Sequence, residues 1–173
     1  MHLVVEPTGF SSATLMCGAR AFRCALGRGG ARSDKREGDG ATPIGLFALR
    51  RVFYRADRVA RPLSGLPMDA IDPASGWCDD PARPDYNRLI TLPYAGRHER
   101  LWRDDALYDM IAVIGYNDTA IIPGAGSAIF LHVAAPDYRA TEGCVAVAAD
   151  HLTEILAYCD ATSTIRILPA KTA

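Results

Sequence analysis

Two residues of this chain have types and a spacing suited to covalent chemistry. His132 ends the stretch Ser127-Ala-Ile-Phe-Leu-His132, and Cys144 follows twelve positions later in Thr141-Glu-Gly-Cys144. A free thiol with a pKa near ~8.5 is mostly protonated at neutral pH, and a neighbouring imidazole that takes its proton generates the reactive thiolate. In that arrangement Cys144 attacks a carbonyl and His132 holds the proton. Gly143 suits a close approach just before the sulfur, where backbone N–H groups can face a developing oxyanion. The same residue types also describe a small buried packing cysteine and a satisfied histidine. The pair alone leaves both readings open.

The elements that must position them are legible in outline. Ala128, Phe130 and His132 alternate with Ile129, Leu131 and Val133, which reads as a half-buried strand and fixes the face on which the imidazole emerges. Pro136 and Asp137 mark a turn in the segment from Ala134 to Glu142, long enough to bring Cys144 back to that strand end. Further strand-like runs fall at Leu3–Val5, Ala13–Met16, Ala19–Leu26, Leu46–Phe53, Arg88–Thr91, Met110–Ile114 and Thr164–Leu168, with a hairpin turn at Cys17-Gly18. One helix is expected from about Ala148 to Cys159, where Leu152, Ile155, Leu156 and Cys159 share a face. Asp150 near its start favours the helix dipole. The Pro-, Asp- and Gly-rich stretch from Tyr54 to Pro84 reads as a long excursion of the functional or lid-like kind. These signals predict a mainly β fold of packed sheets with few helices, organised as a single catalytic domain over residues 1–173.

Composition agrees with one compact domain and excludes several function classes. At 173 residues, 49% hydrophobic and 23% charged, the chain can bury a core without staples. A net charge of −1 argues against broad electrostatic binding of nucleic acid or anionic lipid. Lysine occurs only at Lys35 and Lys171, in a chain otherwise rich in arginine, a bias that reads as compositional. The five cysteines are odd in number and their spacings suggest no disulfide framework, so all five are expected reduced. His151 and Cys159 lie eight apart on the helix, and neither Cys-x-x-Cys nor His-Glu-x-x-His occurs, so no metal is expected. Gly27-Arg-Gly-Gly30 and Gly38-Asp-Gly40 lack the phosphate-cradling pattern, and no cofactor is expected. His98, within Arg97-His-Glu-Arg100, reads as part of a solvated charged patch. The start Met1-His-Leu-Val-Val-Glu-Pro7 shows no secretory signal, and no run approaches the ~20 apolar residues of a membrane span.

A second segment gives the His132–Cys144 pair a context. Lys35-Arg-Glu-Gly-Asp-Gly-Ala-Thr-Pro-Ile-Gly-Leu-Phe47 is a polar, glycine-laden loop that runs through a Thr-Pro turn into an apolar strand. Together with His132 and Thr141-Glu-Gly-Cys144 it resembles the L,D-transpeptidase catalytic domain of the YkuD type, the family that remodels bacterial peptidoglycan. The likeness continues through Gly76-Trp-Cys-Asp-Asp-Pro81, Tyr86-Asn87, Ile114-Gly-Tyr-Asn117 and Gly126–His132, and so spans about the whole chain.

The resemblance implies a two-sheet β-sandwich with a helix after the cysteine. It also implies a catalytic set of Cys144, His132, Gly143 and Thr141, and a backbone carbonyl, by position that of Val133, orienting the imidazole. Substrate contacts would come from Trp77, Tyr86, Asn87, Tyr116, Asn117 and Arg139. Trp77 and Tyr86 equally suit loop anchors, the two asparagines loop backbone, and Arg139 solvent. Asp79 and Asp80 could catch an ammonium group or form a turn. The commoner family pattern reads Ser-His-Gly-Cys followed two residues later by Arg or Asn; here Thr141, Glu142 and Ala146 stand instead, and Arg139 is a candidate replacement cation. Peptidoglycan stem peptides are the implied partner, with cross-linking through a cysteine thioester as the implied activity. The alternatives are an L,D-carboxypeptidase or other cysteine peptidase on muropeptides, and a non-catalytic peptidoglycan-binding module. The substrate implies a periplasmic or cell-envelope site, against which the start of the chain leaves a cytoplasmic one open. Oligomeric state leaves no signature.

Overall fold

A computed structural model describes residues 1–170. The chain folds into β1 (His2–Pro7), β2 (Ser12–Cys17), β3 (Arg20–Ala25), β4 (Ala31–Arg32), β5 (Thr42–Pro43), β6 (Gly45–Tyr54) and β7 (Met68–Ala70). There follow β8 (Ser75–Cys78), β9 (Leu89–Thr91), β10 (His98–Arg100), β11 (Met110–Ile114), β12 (Phe130–Val133), β13 (Val145–Val147), the helix α1 (Ala149–Ala157) and β14 (Thr164–Ile167). The mainly β class expected from the sequence is the class that forms, with a single helix among the described residues, directly after Cys144 and β13.

The principal sheet runs β11-β12-β13-β3-β2-β1-β14-β6-β7, and β6 also pairs with β11, so the ladder returns on itself. The length of β6 makes this closure possible. Its first half, Gly45 to Ala48, pairs with β14, and its second half, Leu49 to Tyr54, with β11. The register shifts between the halves: Ala112 faces Val52 but Ile114 faces Leu49, which inserts one extra residue into β6. Such a bulge bends the strand and raises its twist. It also lets Leu49 and Val52, three apart, face the same core.

Two apolar cores result. The first fills the closed ladder, where Leu3, Val5, Leu15, Leu131, Val145 and Ile165 meet Leu152, Ile155 and Leu156 of α1. The second lies on the other face of β6, β11 and β12, where Phe53, Ile111 and Phe130 pack against Trp77, Leu101 and Tyr108. This outer layer comes from the excursion after β6 and its continuation, which fold into a three-stranded sheet of order β10-β8-β9. The sequence expectation for β12 is therefore corrected: all four of its residues are buried, because the outer sheet covers the face that alternation assigns to solvent. Burial on both faces is what makes this strand rigid enough to hold a side chain in place.

The helix forms because Leu152, Ile155 and Leu156 lie three and four residues apart on one face. It stops two residues short of Cys159, whose thiol nevertheless stays in the core and donates to the Ile155 carbonyl at 3.2 Å. Gly18, with φ of +59°, turns the β2–β3 hairpin. Cys17 faces Arg20 and Cys24 faces Ala13 in that hairpin, so those two thiols cannot meet, and all five cysteines are free. No helix among the described residues is long and apolar enough to cross a membrane.

Candidate active site

His132 and Cys144 come together because β12 and β13 are parallel neighbours, with Leu131 opposite Val145 and His132 opposite Ala146. Cys144 sits immediately before β13. Both side chains line one cavity of roughly 540 Å³, a size typical of ligand sites, together with Thr141, Glu142, Ala146 and Arg139.

The loop before the sulfur is tightly built. Thr141 donates its hydroxyl to the Cys144 carbonyl at 2.7 Å and accepts the Gly143 N–H at 3.1 Å. Its own backbone is clamped to the segment after β3, with its N–H on the Leu26 carbonyl and its carbonyl on the Arg28 N–H. Gly143 has φ of +133°, and a Cβ there would lie 2.7 Å from the Ala41 carbonyl oxygen. The requirement for glycine is thus steric as well as conformational. The Gly143 N–H donates to the Thr141 hydroxyl in a local turn.

The sulfur is held from the strand side. Its S–H donates to the Ala128 carbonyl at 3.3 Å, and the Phe130 N–H donates to the sulfur at 3.4 Å. Ala128 adopts φ of +53°, a left-handed conformation costly for a residue with a Cβ, and its N–H is fixed by Asn87 Oδ1 at 3.1 Å. On the other side, His132 Nδ1 lies 2.8 Å from the Val133 carbonyl. Donation there leaves Nε2 as the acceptor. The carbonyl expected by resemblance to orient the imidazole is thus the one in contact with it.

Burial sets the protonation of both groups. It pushes the Cys144 thiol up to about 12, with the negative charge of Glu99 adding to the rise while the Phe130 N–H, Lys35 and Tyr108 oppose it. Burial also pushes the His132 imidazole down to about 4, against the Val133 carbonyl. Both groups are therefore neutral at rest, the thiol on the Ala128 carbonyl and the imidazole on the Val133 carbonyl, facing one cavity.

Of the six substrate-contacting side chains implied by resemblance, Arg139 lines this cavity and five do not. Trp77 is buried, packs edge-on against Phe130 at 5.3 Å and donates Nε1–H to Asn87 Oδ1 at 3.0 Å. Asn87 donates in turn to the Tyr116 and Asn117 carbonyls at 3.0 and 2.9 Å. Tyr86 is 1% exposed; its hydroxyl donates to Glu37 at 2.5 Å and accepts the Gly126 N–H. Tyr116 donates to the Ala125 carbonyl, and Asn117 staples the loop to Gly126 through Ile122 and Gly126. The polar side-chain atoms of all five have hydrogen-bond partners inside the protein. Trp77, Asn87 and Tyr116 border a separate cavity of roughly 400 Å³ that contains neither His132 nor Cys144.

Arg139 stands at the rim, its side chain 61% exposed and loosely paired with Asp137 at 3.9 Å. Glu142 makes a two-oxygen contact with Arg28 Nε at 3.0 and 2.8 Å. Asp79 faces the cavity but is paired with Arg97 at 3.1 Å, and Asp80 accepts the Ala82 and Arg97 N–H groups of a turn.

Four cavity residues stand out to which sequence reasoning gave no role in the site. Tyr108 is buried, with its ring edge-on to His132 at 5.1 Å and its hydroxyl donating to Glu99 Oε1 at 2.5 Å. Glu99 comes from the Arg97–Arg100 patch assigned to solvent, and His98 beside it also borders the cavity. Lys35 has a side chain only 3% exposed, paired with Asp39 at 2.9 Å. Its rarity in the chain was an available signal; Tyr108 and Glu99 offered none, because their proximity to the thiol depends on how the outer sheet docks.

A parallel-strand pair thus presents a buried thiol and a carbonyl-oriented imidazole to one cavity. The model of the YkuD family, the L,D-transpeptidase catalytic domain, matches residues 18–167, and this chain belongs to that family. Among solved structures it is similar to L,D-transpeptidase 1 of Mycobacterium tuberculosis, at 14% identity and a TM-score of 0.42, over 97% of this chain and 62% of that one. The chain thus spans less than two thirds of that protein's length. No curated protein matches the sequence.

Proposed function

We propose that this protein is a peptidoglycan L,D-transpeptidase that forms peptide cross-links through a thioester on Cys144. The observation that carries this reading is the shared cavity of Cys144 and His132, with Nδ1 committed to the Val133 carbonyl and Nε2 left as the base. A stem-peptide carbonyl next to a diaminopimelate residue enters the cavity. Sulfur attacks it as the thiol proton passes to Nε2, and collapse of the tetrahedral intermediate breaks the C–N bond while His132 protonates the departing amine. The neutral resting pair favours this order, since charge separates only once a carbonyl is in place to receive it. An amine of a neighbouring stem then resolves the thioester to a cross-link, and water resolves it to a carboxypeptidase product. The acyl donor is diaminopimelate, or L-Ala in view of Ala146 in place of the family's Arg or Asn.

The test is to incubate the protein and its Cys144→Ala variant with a disaccharide-tetrapeptide and weigh the products. Cross-linked dimer from the wild type alone is the expected result. Shortened monomer without dimer would make the protein a carboxypeptidase. Unaltered ligand retained equally by both proteins would make it a binding module.

A further inference from the structure

Four carboxylates face the cavity, and three are already engaged. Glu142 is paired with Arg28 and Asp79 with Arg97. Glu37 accepts the Tyr86 and Ser127 hydroxyls on one oxygen and the Gly38 N–H on the other. Glu99 differs. Its Oε1 accepts the Tyr108 hydroxyl, but among the described residues Oε2 accepts no hydrogen bond, and no cation pairs with it. The nearby Arg103 is committed to Asp105 through two bonds of 2.8 and 2.7 Å.

Burial holds the Glu99 carboxyl above the ordinary carboxylate range, and its negative charge, facing the same cavity as the thiol, works against the first half of the reaction by opposing ionisation of the sulfur. After acylation the balance reverses. The sulfur is then a neutral thioester, and the next reactant is an amine that reaches the cavity as an ammonium ion. Such a cation is drawn to a negative oxygen and must lose a proton before it can attack. Resting on the thioester reading above, we propose that Glu99 receives this acceptor ammonium and takes its proton, with Tyr108 holding the carboxylate in position through Oε1.

One ammonium N–H breaks and its proton bonds to Glu99 Oε2, which frees the nitrogen lone pair. The amine attacks the thioester carbon, a C–N bond forms, and the C–S bond breaks with its electrons on sulfur. The second proton leaves nitrogen for His132 Nε2 and passes to the Cys144 thiolate. Glu99 then releases its proton to solvent. Tyr108 is a positioning residue, since it acts through the carboxylate.

The experiment measures the ratio of aminolysis to hydrolysis on the full chain acylated by a disaccharide-tetrapeptide, near neutral pH, with two acceptors. One is a diamino acid whose amine is protonated at that pH, and the other is methoxyamine, which is not. In Glu99→Gln the ratio with the diamino acid falls by about tenfold or more, the ratio with methoxyamine stays as in the wild type, and alkaline pH restores part of the first. Glu99→Asp, which keeps the charge, retains more of the diamino-acid ratio than the glutamine variant. An unchanged ratio with the diamino acid, or an equal fall with both acceptors, overturns the assignment while wild-type acylation stands. If the wild type takes no mass on Cys144 from the donor, the thioester reading fails and this proposal with it.

Discussion

The neutrality of the resting thiol–imidazole pair has a measurable consequence in the pH profile of Cys144 alkylation. With the thiol near 12 and the imidazole near 4, moving the proton across the empty pair spans about eight pH units, or roughly 11 kcal/mol at 1.36 kcal/mol per unit. Even opposite charges as close as ~4 Å would return only about 4 kcal/mol at an effective dielectric of ~20. The neutral form therefore dominates, and the thiolate fraction near pH 7 is on the order of 10⁻⁵. The assay is alkylation by a small neutral reagent such as iodoacetamide, followed by mass mapping of the Cys144 peptide, which separates it from the other four buried thiols. The rate should climb about tenfold per pH unit from mildly acid to alkaline pH, without a plateau. His132→Gln should keep that slope. A fast, pH-independent rate from about pH 5 to pH 8, abolished in His132→Gln, would mean a preformed ion pair and refute the reasoning.

Three further outcomes follow from the geometry. His132 is neutral in the folded protein down to about pH 4 but protonates near 6.5 when unfolded, so the unfolded state binds more protons between those values and stability falls as pH is lowered through them. The wild type should lose up to about 3 kcal/mol relative to His132→Gln across that window in urea titrations; parallel curves would show the imidazole to be solvated. Gly143→Ala should destabilise by about 1–3 kcal/mol, since the new Cβ meets the Ala41 carbonyl at 2.7 Å in a left-handed backbone. An unchanged urea midpoint would contradict that packing. Asn87→Ala removes bonds to Trp77, Ala128 and the Tyr116 and Asn117 carbonyls. It should lower stability by about 2–4 kcal/mol and slow acylation while leaving KM for the donor peptide unchanged; a raised KM at full stability would return Asn87 to substrate contact.

The parts of this molecule that repeat with period two or 3.6 were readable from the sequence, and the parts that depend on docking were not. β1, β2, β3, β6, β11, β12 and β14 announce themselves by apolar alternation, and α1 by Leu152, Ile155 and Leu156. Of the two- and three-residue strands, β9 falls within the expected run Arg88–Thr91, while β4, β5, β7, β10 and β13 are too short to show a period and form because a neighbour's edge is already present. β12 carries an alternation that suggests one wet face, yet Phe130 and His132 are covered by an outer sheet whose position no local pattern encodes. The same cause hid Tyr108 and Glu99, which lie far from Cys144 along the chain and reach it only through that sheet. Trp77, Tyr86 and Asn87 suit substrate contact or loop anchoring equally by sequence, and in the structure their hydrogen-bonding groups find partners inside the protein.

The central claim is that Cys144 forms a covalent acyl bond with a stem peptide and that His132 makes this possible. Intact-mass measurement of the protein quenched in acid during turnover, with peptide mapping of the adduct, tests it most directly. The expected increment equals the acyl fragment, lies on the Cys144 peptide, is removable by hydroxylamine, and is greatly reduced in His132→Gln. An adduct on another residue, or donor turnover that persists in Cys144→Ala, would contradict it.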